Sequence, residues 1–135
     1  MSAKKLLDDY VTDIQLQLSE GNFDQALKEI QSALVSYPTN PKLYINGGNI
    51  YKLLGDIDNA ELYFAKALSI HKSKEVLNNL SVIHIERRNY DQAISLAREA
   101  IEMDPAYVDA MYNLALSQDS LGNYGKGVCY GTVES

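Results

Sequence analysis

Three asparagines recur at a regular spacing and carry the main candidate chemistry of this sequence. Asn46, Asn79 and Asn113 follow one another at nearly equal intervals along the chain. The asparagine side chain offers a hydrogen-bond acceptor and an amide donor group without a net charge. A row of such side chains can bond successive peptide groups of an extended ligand, largely independently of the ligand's sequence. The spacing therefore makes these three residues candidates for a common binding surface.

No set of residues with the spacing of a catalytic or metal site accompanies these asparagines. His71 and His84 lie in different predicted helices without a partner at helical spacing, so metal ligation from one helix is not supported. Cys129 has no second cysteine and only Lys126 nearby, which favours an inert thiol. The glycines of the segment 122–131 follow no strand and precede no Lys-Ser or Lys-Thr pair, so they do not predict a phosphate loop. We expect no enzyme activity, no metal and no cofactor.

The composition narrows the class of protein further. The chain has 135 residues, a net charge of −6 and one cysteine, which allow one domain without an internal disulfide. Nucleic-acid binding needs a basic face, which this acidic chain does not favour. No apolar run is long enough to span a membrane, and the early acids Asp8 and Asp9 argue against a signal peptide. We expect a single-domain cytoplasmic protein that neither binds nucleic acid nor inserts into a membrane.

A repeated segment organises the chain and must position the asparagines. A short motif recurs four times and starts at Gly21, Gly55, Arg88 and Gly122. Its first residue is small or basic, its second is Asn or Asp, and its third is aromatic or Ile. The interval between these positions is nearly constant, and the same interval separates the three asparagines. The pattern defines repeats over residues 7–40, 41–73, 74–107 and 108–135, of which the last is incomplete.

Each repeat has the pattern of two helices. In residues 44–54, apolar or small residues recur with the period of one helical face, and Gly55 is placed to end that helix. Asp56 or Asp58 can cap the helix that follows. Recurring small residues such as Ala60 let the two helices approach closely, and enlarging them would overpack the seam.

These repeats resemble the tetratricopeptide repeat family, whose signature is W-x₂-L-G-x₂-Y…A-x₃-F…P over about 34 residues. The second repeat is most similar, through Tyr44, Gly47, Gly48, Tyr51, Ala60 and Phe64. The resemblance extends over nearly the whole chain. It implies an all-α fold, a right-handed solenoid of antiparallel helix pairs with about three full repeats and a partial fourth.

The resemblance also implies where a partner would bind. The first helix of each pair lines the concave face of such a solenoid, and family members bind peptides there. The groove-facing positions are Asp8, Val11, Thr12, Gln15, Lys42, Ile45, Asn46, Asn49, Lys52, Asn78, Asn79, Val82, Glu86, Asp109, Tyr112, Asn113, Leu116 and Asp119. We expect partner contacts from Asn46, Asn49, Asn79, Asn113, Lys42, Lys52 and Tyr112. We therefore expect a scaffold or adaptor that binds a partner peptide or helix in this concave groove.

The asparagines have an alternative role, and one kind of ligand is not expected. The asparagines could instead be frequent at their position because they stabilise the superhelix. The cations with which chaperone-type members clamp a C-terminal carboxylate are mostly missing, since Val11 and Gln15 occupy two of their places. We do not expect a binding site for Hsp90 or Hsp70 tails.

The last half-repeat leaves a different function open. Residues 122–135 hold four glycines, each of which costs a helix about 1 kcal/mol relative to alanine. We expect a second helix there that is short, frayed or dependent on a contact. Tyr112, Leu116, Leu121 and Tyr124 would then be available for self-association at an uncapped end. The alternatives to an adaptor are a structural or oligomerising subunit and a regulatory module of a larger protein.

Overall fold

Seven α-helices make up the regular structure of the described chain. The computed structural model describes residues 5–126, and for residues 123–126 it describes the backbone alone. The helices are α1 (Leu7–Ser19), α2 (Phe23–Ser36), α3 (Pro41–Leu53), α4 (Ile57–Ile70), α5 (Lys74–Glu86), α6 (Tyr90–Met103) and α7 (Val108–Lys126). The predicted all-α repeat architecture is confirmed.

The helices belong to two compact units that meet in sequence between His71 and Lys72. In the first unit, α1 packs against α2, α2 against α3, and α3 against α4. In the second unit, α6 packs against both α5 and α7, and α5 also contacts α7. Sequence neighbours are therefore neighbours in space within each unit, as a helical repeat requires.

Side chains cap the starts of α3, α4 and α5. The first helix of each repeat begins at Leu7, Pro41, Lys74 or Val108, where the predicted repeats begin. Asn40 accepts hydrogen bonds from the backbone of α3, whose first residue is Pro41, and Ser73 accepts one from Val76 N. Of the two candidate caps of α4, Asp56 is the one that accepts a bond, from Asn59 N. These side chains satisfy amide groups that a helix start leaves without partners.

The turn within each of the first three repeats uses one residue with positive φ. Gly21 and Gly55 have φ values of 77° and 83°, and Arg88 occupies the same repeat position with φ 62°. Glycine adopts this conformation without steric cost, whereas a residue with a side chain does so at a cost. The chain therefore turns at the same place in each repeat even where glycine is absent.

Small buried residues form the seam of each helix pair, as predicted. Ala26, Ala60 and Ala93 have no exposed surface, and neither do the later alanines Ala33, Ala67 and Ala100. In the second unit the buried Ser81 hydroxyl donates to Ala93 O at 2.9 Å, which ties α5 to α6. The recurring alanines are therefore buried in the helix pairs, where their small size was predicted to allow close packing.

α7 departs from the expectation for the last repeat. The sequence predicts a turn at Gly122 and a second helix after it, but α7 continues through Gly122 to Lys126. Glycine permits a positive φ without enforcing it, and one glycine within a helix costs only about 1 kcal/mol. The prediction of a helix break at Gly122 is wrong, and residues 127–135 lie outside the described part of the chain.

Candidate functional site

A groove between the first helices of the first unit is the candidate site. Its volume is about 600 Å³. It is lined by residues of α1, by the start of α3 and by the residue that caps α3: Leu7, Asp8, Val11, Gln15, Asn40, Pro41, Lys42, Leu43, Ile45 and Asn46. Six of them were predicted to face a groove, namely Asp8, Val11, Gln15, Lys42, Ile45 and Asn46. A cavity of this size accepts a side chain together with adjoining backbone of a ligand.

The wall of the groove combines aliphatic surface with polar side chains, two of which are amides that make no hydrogen bond of their own in the described part of the chain. Leu7, Val11 and Ile45 contribute partly buried aliphatic surface. Gln15 and Asn46 add amide groups that make no side-chain hydrogen bond within residues 5–126. Such groups can donate to and accept from a peptide backbone.

The charges at the groove balance each other. Asp8 and Lys42 are both exposed lining residues of opposite sign. The Asn40 side chain is already engaged, because its Oδ1 accepts from Lys42 N at 2.9 Å and Leu43 N at 3.4 Å. The groove therefore suits a neutral apolar segment better than a strongly charged one.

The packing of α3 on α4 fixes which face of α3 is turned to the groove. Gly47 and Gly48 lie against the rings of Tyr63 and Phe64, and a Cβ built on Gly48 would come within 2.7 Å of Phe64. The Tyr63 ring also makes edge contacts with other rings on α3, such as that of Tyr51 at 5.0 Å between centroids. Burial is the main cause that raises the pKa of Tyr63. With this face occupied by α4, Ile45 and Asn46 line the groove.

Contacts before and within α1 fix the other wall. Lys5 forms ion pairs with Asp13 on α1 and, at 3.5 Å, with Glu29 on α2. The hydrogen bond to Asp13 is the main cause that raises the pKa of Lys5. Tyr37 Oη donates to Lys5 O at 3.1 Å, and its ring meets Tyr10 edge-on at 6.3 Å. These contacts hold α1 against α2 and so position Val11 and the rest of this wall.

The predicted partner-binding residues of the first unit divide into two groups. Lys42, exposed, and Asn46, half-buried, line the groove. Asn49, exposed, and Lys52, half-buried, lie on α3 outside the lining. Sequence reasoning missed Leu7, Asn40, Pro41 and Leu43, although the Asn-Pro pair at a helix start is a recognisable signal that this segment borders the groove.

The asparagines of the second unit differ in their surroundings. Asn113 is only 7% exposed and its Nδ2 donates to Asn78 Oδ1 at 2.6 Å, joining α7 to α5. Asn79 is half-buried. Tyr112 is 67% exposed. The polar face of this unit thus includes a side-chain hydrogen bond that the repeat spacing did not predict.

The residues predicted for self-association lie on α7. Leu116 and Leu121 are each about a third exposed, at 37% and 36%. Tyr124 belongs to the α7 backbone, but its side chain lies outside the described structure.

The histidines and the cysteine do not form a second candidate site within the described residues. His71 is exposed and His84 half-buried, and residues 5–126 contain no group of three His, Cys, Asp or Glu side chains that could hold a metal ion. Cys129 lies outside the described residues. Among the helices described here, none is both long and apolar enough to cross a membrane.

Comparison with family models identifies the repeats. Two models, both described as tetratricopeptide repeat, match residues 41–73 and 79–128, which together make up more than half of the chain.

Curated relatives are much longer than this chain. Tetratricopeptide repeat protein 21A of Mus musculus is 33% identical over 89 residues, which are 65% of this chain and 7% of that protein. An N-terminal acetyltransferase A complex subunit-like protein of Schizosaccharomyces pombe is 30% identical over 110 residues, covering 80% of this chain and 16% of the relative. The chain thus spans under a fifth of the length of both proteins.

Solved structures share the fold. The crystal structure of MamA has a TM-score of 0.77 and 25% identity, covering 84% of this chain and 67% of that one. The first TPR of Spaghetti (RPAP3), bound to the HSP90 peptide SRMEEVD, has a TM-score of 0.78 and 18% identity, covering 84% of this chain and 90% of its own. At 18% identity, the similarity to the Spaghetti structure shows only that the fold is shared.

Proposed function

Since this chain belongs to the tetratricopeptide repeat family, whose fold commonly serves as a protein-interaction module, we propose that it is a scaffold that binds a partner peptide between α1 and α3. The observation that carries this proposal is the groove of about 600 Å³ with aliphatic walls and unengaged amides. The role is non-catalytic, and its place is the cytoplasm.

The lining of the groove suggests the chemistry of the ligand. An extended segment would place one apolar side chain against Val11 and Ile45, while Gln15 and Asn46 bond its backbone. The neighbour bound to an HSP90 peptide supports peptide binding by this fold. That acidic peptide is not the ligand expected here, because Asp8 and Lys42 leave the groove without a net charge.

The remaining predicted residues extend this proposal beyond the groove. Asn49 and Lys52 on α3 stay predicted contacts to parts of the partner outside the cavity. Asn79 and Tyr112 remain predicted partner contacts of the second unit, considered by itself. Asn113 serves chiefly to orient Asn78, since its amide is already engaged there.

Selection from a random peptide library displayed on phage tests the proposal. Selection on the full chain is expected to enrich peptides that share one large apolar residue. The best peptide is then titrated by calorimetry against Val11→Asp and Asn46→Ala. Val11→Asp places a charge against the buried apolar ligand, so the affinity should fall at least about tenfold, and Asn46→Ala should weaken binding several-fold.

Asn22→Ala is the matched control for Asn46→Ala, because Asn22 is an exposed asparagine in the turn before α2 and away from the groove. The Asn22→Ala variant should bind the selected peptide with the affinity of the wild type. If no peptide is enriched, or if Val11→Asp binds as well as the control, the groove is not the binding site.

Self-association through Tyr112, Leu116, Leu121 and Tyr124 is the competing function. It is favoured by the exposure of the first three on α7. Light scattering over a range of concentrations tests it, since a monomeric mass throughout would contradict a structural or oligomerising role.

A further inference from the structure

α7 carries an exposed apolar strip. Val108, Met111, Tyr112 and Leu116 are exposed by 69%, 42%, 67% and 37%. Their positions along the chain place them on one side of the helix. These four residues are called the α7 strip below. Contiguous apolar surface of this kind marks an interaction surface more often than scattered apolar residues do.

One position of the α7 strip has a buried counterpart in the preceding repeat. Met111 is the counterpart, one repeat later, of Leu77, which is fully buried. Leu77 belongs to α5, and α6 packs against α5. Residues 5–126 contain no helix that follows α7 and could cover Met111 in the same way. Met111 therefore occupies a repeat position that is buried in α5 and exposed in α7.

The charges beside the α7 strip are negative. Asp109 and Asp119 are exposed at its two ends, and neither forms an ion pair within the described residues. Glu75, the exposed counterpart of Asp109 on α5, is a third acid in this unit. The nearby cation Lys74 is already paired with Asp104 and lies 5.1 Å from the centre of the Tyr107 ring.

The pKa of Tyr107 reflects the nearby negative charges. Burial is the first cause that raises the pKa of Tyr107, and the carboxylates of Asp109 and Glu75 raise it further. Lys74 opposes them without reversing the shift. An occupant of the α7 strip therefore meets acids that a positive charge would neutralise.

We propose that the α7 strip binds a cationic amphipathic helix of a partner protein. The apolar side of that helix packs on Met111 and Tyr112, and its Lys or Arg residues lie near Asp109 and Asp119. A second copy of this chain fits less well, because each copy carries a net charge of −6 and would bring the same acids to the contact.

A synthetic peptide derived from α6 is the probe, because α6 packs against α5, the helix that is equivalent to α7 in the preceding repeat. The labelled peptide has the sequence Tyr90–Met103 with the changes Asp91→Lys, Glu99→Lys and Glu102→Lys. Two controls accompany it: the unchanged α6 sequence, and a shuffled peptide with the composition of the basic one. Fluorescence anisotropy measures the binding of each to the full chain.

The basic peptide is expected to bind about tenfold more tightly than the unchanged one, since two new charge pairs at the surface supply a difference of that order. The shuffled peptide should bind weakly, because it lacks the apolar stripe. Added salt should weaken binding of the basic peptide by screening.

Variants of the full chain separate charge from packing. Asp109→Asn with Asp119→Asn should weaken binding of the basic peptide about tenfold. Asp24→Asn with Asp91→Asn changes the net charge equally at two other exposed acids and should leave binding unchanged. Tyr112→Ser should weaken binding, whereas Leu62→Ser, at a residue 64% exposed on α4, should not. Circular dichroism confirms that each variant is folded.

Several results would overturn the proposal. Equal binding of the basic and unchanged peptides would remove the role of charge, and equal binding of the shuffled peptide would remove the role of the strip. If none of the three peptides binds, the α7 strip does not bind a cationic amphipathic helix. A dimer in light scattering that Tyr112→Ser abolishes would assign the strip to a second copy.

Discussion

The ion pair between Lys74 and Asp104 joins the first residue of α5 to the residue that follows α6. Lys74 is the main cause that lowers the pKa of Asp104, and the amide of Ala106 adds to the effect through a hydrogen bond of 3.1 Å to Oδ1. Asp104 in turn is the main cause that raises the pKa of Lys74. Both shifts favour the charged forms, so the pair stabilises the second unit most near neutral pH.

Asp104→Asn should therefore reduce stability in a pH-dependent way. A carboxylate whose pKa is lowered by folding contributes stability above its unfolded pKa, and this contribution is lost as the pH falls through the lowered value. Asparagine keeps an oxygen to accept from Ala106, so the change removes mainly the charge. Urea unfolding should show the variant less stable than the wild type at pH 7, with the difference shrinking below about pH 4. A difference in midpoint that is as large at pH 3 as at pH 7 would contradict this account.

The asparagines show how far single residues can be interpreted from sequence. The period placed Asn46 on a groove-facing position, and it lines a cavity. The same period placed Asn113 at the equivalent position, yet it is buried and bonded to Asn78, which stands in the preceding repeat. Repeat spacing predicts the face of a helix on which a residue lies, but not the neighbour that its side chain meets.

The pairing of α3 with α4 depends on two adjacent glycines. Gly47 and Gly48 are buried in the interior of α3, where glycine costs a helix stability relative to alanine. Their absence of a side chain leaves room for the rings of Tyr63 and Phe64. The geometry of this helix pair, and with it one wall of the groove, depends on that room.

Gly48→Ala should destabilise the protein although alanine favours helix formation. The added methyl would come within 2.7 Å of the Phe64 ring, which is fully buried. Overpacking of about 1–3 kcal/mol exceeds the gain in helix propensity of about 1 kcal/mol. Thermal or urea unfolding measures the balance. Asn49→Ala, at the next and exposed position, is the control and should change stability by less than about 0.5 kcal/mol. A Gly48→Ala variant more stable than the wild type would show that the rings can move.

Helix positions were largely predictable, because their signals are local. Capping residues, prolines at junctions and the spacing of apolar residues mark the starts of α1, α3, α5 and α7. The course of the chain at Gly122 was not predictable in this way. Arg88 turns with positive φ where glycine is missing, and Gly122 stays helical where glycine is present. The turn therefore depends on what the following segment packs against, which a local pattern does not contain.

At the scale of the whole molecule, the chain consists of two compact units with separate helix contacts. Stability in helical repeats is approximately a sum of the contributions of repeats and of contacts between neighbours. A defect in one repeat should then raise local opening near itself more than far along the chain. The length and period predicted such a repeat chain, but contacts alone reveal the grouping into two units.

Hydrogen exchange on Gly48→Ala should show this locality. Amides of α3 and α4 should exchange faster than in the wild type, whereas those of α5 and α6 should change little. Mass spectrometry of proteolytic peptides resolves the two regions, with Asn49→Ala as the matched reference. Equal acceleration in both regions would mean that the described chain opens as one cooperative unit.

The contact between Gly48 and Phe64 also limits how this protein can change over generations. Any side chain at position 48 meets the ring at position 64 before it meets anything else. A smaller residue at 64 would leave a cavity until position 48 changed, and a larger residue at 48 would be overpacked until position 64 changed. Whichever position changes first, the intermediate is less stable, so sequences descended from this one should retain or exchange the two residues together.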